Sequence, residues 1–174
     1  MKILSKQKNS RMCMICGLDN EYGVNAPFYN MEDGSVMTVF RYKEQHQSYP
    51  GRVHGGMITA MLDEMGLRSL WAKELSEETF GVTISLDTKY RKPVPYETEL
   101  IGRGVVVKNT SHFIITDSYI MDTEGEILAN GRIKYIKMDT QKIQEGVEVH
   151  EEMPYLVEAV SYTHLRAHET LSDL

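Results

Sequence analysis

At 174 residues, 41% hydrophobic and 25% charged, the chain has the make-up of a folded globular domain, not of a disordered or collagen-like one. Its 19 Lys and Arg are scattered among 25 Asp and Glu, a net charge of −6, which excludes a basic nucleic-acid footprint. No apolar run approaches the roughly 20 residues of a membrane span, and the first residues lack the apolar stretch of a secretory signal, so neither nucleic acid nor membrane is an expected partner and the cytoplasm is the expected compartment.

Residues 1–12 read as a polar, basic leader that should fray. Residues 13–34 carry turn signals at Gly17, Asn20, Gly23, Pro27 and Asp33-Gly34. Residues 35–42 alternate around Val36, Val39 and Phe40 and predict a strand, followed by a polar loop through Pro50-Gly51. From 57 to 75, Met57, Ile58, Met61, Leu62, Met65, Leu70 and Trp71 fall at helical spacing and predict one long helix. Strand patterns then follow over 79–92, 98–108, 112–121 and 127–137, with a hairpin turn at Asp122-Thr123-Glu124-Gly125. Residues 139–159 are acidic and without a clear period.

The last fifteen residues, 160–174, resemble an in-frame translation of the transposase adapter used in short-read sequencing libraries. We expect the natural sequence to end near Ala159, and set the segment apart from the fold together with His164 and His168. One domain is then expected over 13–138, with 139–159 as an acidic C-terminal segment. Strand, long helix and four successive strands joined by short turns imply an α+β domain: an antiparallel sheet wrapped around one central helix. Such a sheet leaves an edge strand, through which a dimer is expected.

The chemistry concentrates in Gly51-Arg52-Val53-His54-Gly55-Gly56, which opens the helix, and in Leu62-Asp63-Glu64 further along it. The first N–H groups of a helix have no partner inside it, and the helix dipole favours negative charge there. Gly55-Gly56 would let a ligand oxygen approach that backbone, as in an oxyanion hole. Asp63 sits in an apolar helix, where a carboxylate is costly unless it has a partner or a task. Glu64 has Arg68 one turn on for an ion pair, but would stand in as the base if the helix were rotated. His54 could act as a base or hold the loop by hydrogen bonding.

The pattern His54-Gly55-Gly56 followed by Leu62-Asp63-Glu64 resembles the hotdog-fold acyl-CoA thioesterases, in the phenylacetyl-CoA and 4-hydroxybenzoyl-CoA branch. Gly81-Val82-Thr83-Ile84, Tyr90-Arg91-Lys92-Pro93-Val94 and Asp122–Ala129 resemble the family's later strands and last hairpin. The resemblance implies hydrolysis of acyl-CoA by a homodimer or homotetramer with its site at the subunit interface. It assigns Asp63 as general base or nucleophile and Gly55 as the backbone donor to the thioester carbonyl. It gives Thr83, from the partner subunit, the placing of the water, and His54 the orienting of the loop. Gly56 would adjoin the substrate, as would Ser48 and Gln47, which stand where the family often has Asn or Gln. Glu64 is a further contact, and Arg91 and Lys92, with Arg52, are candidates for the coenzyme A phosphates. No cofactor or metal is implied, coenzyme A being part of the substrate. A non-catalytic acyl-CoA-binding domain and a hotdog hydratase or dehydratase are the alternatives.

Cys13-Met14-Ile15-Cys16-Gly17-Leu18-Asp19-Asn20 resembles openings seen in bacterial relatives of this branch. A Cys-x-x-Cys pair is half of a zinc site, and with no second pair in the chain a metal site would need two subunits. A structural turn beside the acyl pocket is the default expectation, and a redox role the other.

Overall fold

The computed structural model describes residues 1–75, 79–138, 143, 145 and 156–157. In chain order it has short strands β1 (Ile3–Lys6), β2 (Asn9–Ser10), β3 (Tyr29–Met31), β4 (Val36–Phe40), β5 (Gln47–Tyr49) and β6 (Arg52–Val53). The helix α1 (Gly55–Glu74) follows, then the long strands β7 (Phe80–Tyr90), β8 (Leu100–Asn109), β9 (Phe113–Met121) and β10 (Ile127–Met138), and finally β11 (Leu156–Val157). Seven strands form one antiparallel sheet in the order β1-β3-β4-β8-β9-β10-β7. The sheet wraps one face around α1, as the sequence pattern implied.

Burial follows the strand period. Along β9, Ile114, Thr116, Ser118 and Ile120 are buried while their neighbours are half-buried, so one face of the strand lies under the helix. Ile58, Met61, Leu62 and Met65 of α1 fill the space between helix and sheet, with Val36, Phe40, Leu100 and Ala129. The helix comes unusually close to the sheet because small residues face it. A Cβ on Gly104 would lie 2.5 Å from the Met65 carbonyl oxygen, and one on Gly66 would strike the Tyr135 hydroxyl. Replacing either glycine would therefore push α1 away from the strands.

The N-terminus departs from expectation. Instead of fraying, β1 pairs with β3, and the polar Gln7, Asn9 and Ser10 are buried. Their donors are taken up by hydrogen bonds: the Gln7 side-chain amide donates to Asn30 Oδ1 at 2.7 Å and to the Arg68 carbonyl at 3.0 Å, and Asn9 Nδ2 donates to the Cys16 carbonyl at 2.6 Å. Hydropathy alone cannot signal such a segment. β11 pairs with β2, and the expected adapter-derived stretch 160–174 lies outside the described residues. Among the described residues no helix is long and apolar enough to cross a membrane.

At the other side of the sheet, β7 is an eleven-residue strand that among the described residues pairs only with β10. Val82, Ile84 and Tyr90 are exposed along it. Its register with β10 slips between Lys134 and Tyr135, which leaves Ile84 as the extra residue of a bulge beside Thr83.

Candidate active site

The approach to α1 is fixed before the helix begins. His46, buried, accepts from the Lys43 N–H through Nδ1 and lies 2.7 Å from the Tyr22 carbonyl through Nε2. Its own carbonyl receives the His54 N–H at 2.8 Å. His54 is the N-cap: its extended backbone and its Nδ1, which accepts from the Gly56 N–H at 2.9 Å, satisfy one of the orphan donors of the first turn. With Nδ1 an acceptor, the ring carries its proton on Nε2. The Gly55 N–H meets no partner among the described residues and remains available to a ligand oxygen.

A hydroxyl from β7 sits on the same turn. Tyr90 donates to the Gly55 carbonyl at 3.1 Å and lies 2.6 Å from Thr59 Oγ1. Neither Tyr90 nor Thr59 was legible as a site residue, since an alternating strand offers no sign of which hydroxyl will meet a helix start.

Two turns further on, the Asp63 carboxylate is part-buried and Oδ1 accepts from Thr83 Oγ1 at 2.8 Å. Tyr135, buried under the helix, donates to the Asp63 carbonyl oxygen at 2.6 Å and holds that turn against β10. Burial raises the Asp63 carboxyl above its usual range, the Thr83 hydroxyl pulls it back, and the neighbouring Glu64 charge adds to the rise. Thr83 thus reaches Asp63 of its own chain, because the bulged edge strand runs directly alongside α1.

Glu64 faces a different side of the helix, about a quarter-turn round. Its Oε1 takes Arg68 Nε at 2.7 Å, and Arg68 is only 1% exposed, stacked 4.4 Å over the Phe28 ring. This fixes the helix rotation and leaves Asp63, not Glu64, beside the β7 hydroxyls. Gln47 and Ser48 are exposed on β5, in the hairpin leading to the motif. Arg91 donates to Asn130 Oδ1 at 2.6 Å, Lys92 pairs with Glu126, and Arg52 donates to the Gly51 carbonyl at 3.0 Å; all three are exposed near the β7 end.

Residues 50–129 match the family model of the thioesterase superfamily. This segment is thus similar to the thioesterase superfamily. The rat acyl-coenzyme A thioesterase THEM4 is 25% identical over 140 residues, 80% of this chain and 57% of the relative; its mouse counterpart is 26% identical over 128 residues, 72% and 52%. The chain spans little more than half the length of these curated relatives. Among solved structures, a thioesterase superfamily protein superposes with a TM-score of 0.64 at 25% identity, covering 72% of this chain and 63% of that one. A hypothetical thioesterase from Streptococcus pneumoniae, solved with coenzyme A, shares the fold at a TM-score of 0.56 and 21% identity, covering 66% and 87%. The superfamily segment begins just before the His54 cap and ends on β10, so it contains both the Gly55 turn and the Asp63–Thr83 pair.

Proposed function

We propose that this domain hydrolyses acyl-CoA thioesters to a free acid and coenzyme A, as a cytoplasmic enzyme of the phenylacetyl-CoA and 4-hydroxybenzoyl-CoA branch. The observation that carries this reading is the part-buried Asp63 carboxylate held by Thr83, on one helix whose first N–H has no partner among the described residues. The superfamily match and the names of the rat and mouse relatives support the thioester class. The Gly55 N–H polarises the thioester carbonyl and stabilises the oxyanion that forms on it. Asp63 takes a proton from water as the water attacks, or attacks the carbonyl itself to give a mixed anhydride that water then opens. In either case the C–S bond breaks, coenzyme A leaves as the thiol, and no cofactor is required.

One chain cannot complete this reaction alone. Asp63 lies eight positions after Gly55 on an unbroken helix, about 12 Å along its axis. A carbonyl bound at Gly55 is out of reach of a water held at Asp63 of the same chain. Antiparallel pairing of β7 with β7 of a second copy, about a two-fold axis near Leu86, brings the Tyr90–Gly55 end of one chain to the Thr83–Asp63 end of the other. The site then forms twice at the interface, each half drawing its oxyanion donor from one subunit and its carboxylate from the other. Arg91, Lys92 and Arg52, near the same strand end, are the cations offered to the coenzyme A phosphates.

Thiol release from short, long and aromatic acyl-CoA substrates tests the reading, with Asp63→Asn alongside. Turnover that falls by about a hundredfold or more in the variant is expected, the usual worth of a general base. A folded parent that binds acyl-CoA and releases no thiol would leave a binding domain instead.

A further inference from the structure

The Cys13-x-x-Cys16-Gly17 turn, which the hydrolytic reading does not use, folds tightly around the Cys13 sulfur. Cys13 Sγ accepts the Ile15 N–H at 3.3 Å and the Cys16 N–H at 3.5 Å, while the Gly17 N–H closes on the Cys13 carbonyl at 2.9 Å. Any side chain on Gly17 would strike the Cys13 backbone, so the turn needs glycine. Backbone donors aimed at a sulfur favour it as a thiolate, the form that ligates metal.

From the sequence, two sulfurs in one chain fell short of a site. The fold adds the third donor. Glu64 Oε1 is taken by Arg68, but Oε2 points the other way and lies 3.8 Å from Cys13 Sγ. Cys13 Sγ, Cys16 Sγ and a Glu64 oxygen all lie within 4.8 Å of one another. Donors at about 2.3 Å from a tetrahedral zinc stand about 3.8 Å apart, so the trio needs only a small contraction around an ion. Charge also balances: three anionic donors, one dication and the buried Arg68 guanidinium sum to neutrality, which favours the ion at this part-buried place.

We propose that Cys13, Cys16 and Glu64 bind one divalent ion of the zinc class, with water in the fourth position, and so clamp the loop after β2 to the Glu64 side of α1. Two thiolates and a carboxylate select zinc or a similar borderline-soft ion over magnesium or calcium. Binding releases the two thiol protons to solvent and changes no oxidation state. The clamp is separate from the hydrolytic site, and its test needs no substrate.

The full-length protein, stripped of metal and kept reduced, is titrated with Co2+ and then Zn2+. We expect one Co2+ per chain, with a thiolate-to-cobalt charge-transfer band, the intense visible bands of a tetrahedral ion, and displacement by zinc. Cys13→Ser, at the half-buried position, should keep the far-UV dichroism of the parent and lose the charge-transfer band. Glu64→Gln should weaken Co2+ binding by about tenfold or more, in the range that supporting ligands commonly contribute. If Glu64→Gln fails to fold because Arg68 loses its carboxylate partner, the Cys13→Ser comparison and the stoichiometry still decide. A parent without the charge-transfer band, a band that survives Cys13→Ser, or a Cys13–Cys16 disulfide formed in preference to metal binding would overturn the site.

Discussion

Asp63 is the residue on which chemistry and stability pull in opposite directions. Its folded-state pKa lies above the unfolded value of about 3.9, chiefly through burial. Ionising it therefore costs the fold stability, a cost absent below the unfolded pKa and fully present above the folded one. Asp63→Asn should consequently melt higher than the parent at pH 8, with the gap closing as pH falls to about 4, even as turnover is lost; calorimetry across that range measures it. The activity runs the other way, since a base must be ionised: kcat/KM should rise with pH through the elevated Asp63 pKa. The Thr83 hydroxyl holds that pKa down, so Thr83→Val should move the acidic limb to higher pH and lower kcat, by about tenfold, in a pH–rate profile. His54→Ala leaves the Gly56 N–H without its acceptor, and should lower stability by about 1 kcal/mol in urea denaturation. Of these residues, His54, Gly55 and Asp63 were legible because their types and spacing are unusual for a helix start. The pairing of Asp63 with Thr83 of the same chain was not, because it depends on a bulge that periodicity does not reveal.

At the scale of elements, α1 and the four long strands were readable because each carries enough residues to establish a period. β1, β2, β3, β5 and β6 are two to four residues long, too short to do so. What positions the site is the closeness of α1 to β8, β9 and β10, and that rests on individual glycines rather than on pattern. Gly104→Ala would set a methyl group against the Met65 carbonyl, and should cost about 1–3 kcal/mol and reduce kcat along with stability. Tyr135→Phe should be milder, about 1 kcal/mol, because it removes one hydrogen bond to the Asp63 carbonyl without adding volume. Urea melts and kcat measured on the same two variants separate displacement of the helix from loss of a single bond. The contact between Cys13 and Glu64, 51 positions apart, lies at this scale too. The motif was visible in the sequence, but its third donor depends on which way α1 is rotated, and Arg68 sets that.

For the whole molecule the deciding feature is the difference between the two ends of the sheet. β7 offers an eleven-residue edge with exposed Val82 and Ile84, the kind of surface that a chain covers with a copy of itself. Sedimentation should find a dimer, and Ile84→Lys should shift it toward monomer while abolishing hydrolysis with Asp63 untouched. That loss would be hard to explain if each chain held a complete site. The opposite end of the sheet is β1, only four residues long and bearing Lys6. Joining two copies through β7 gives a fourteen-stranded sheet whose outer borders are both this short, charged strand. In such a dimer the two-fold operation would use up the adhesive border in a single step, so assembly along the strand-pairing direction would stop at two subunits and not propagate into a fibre.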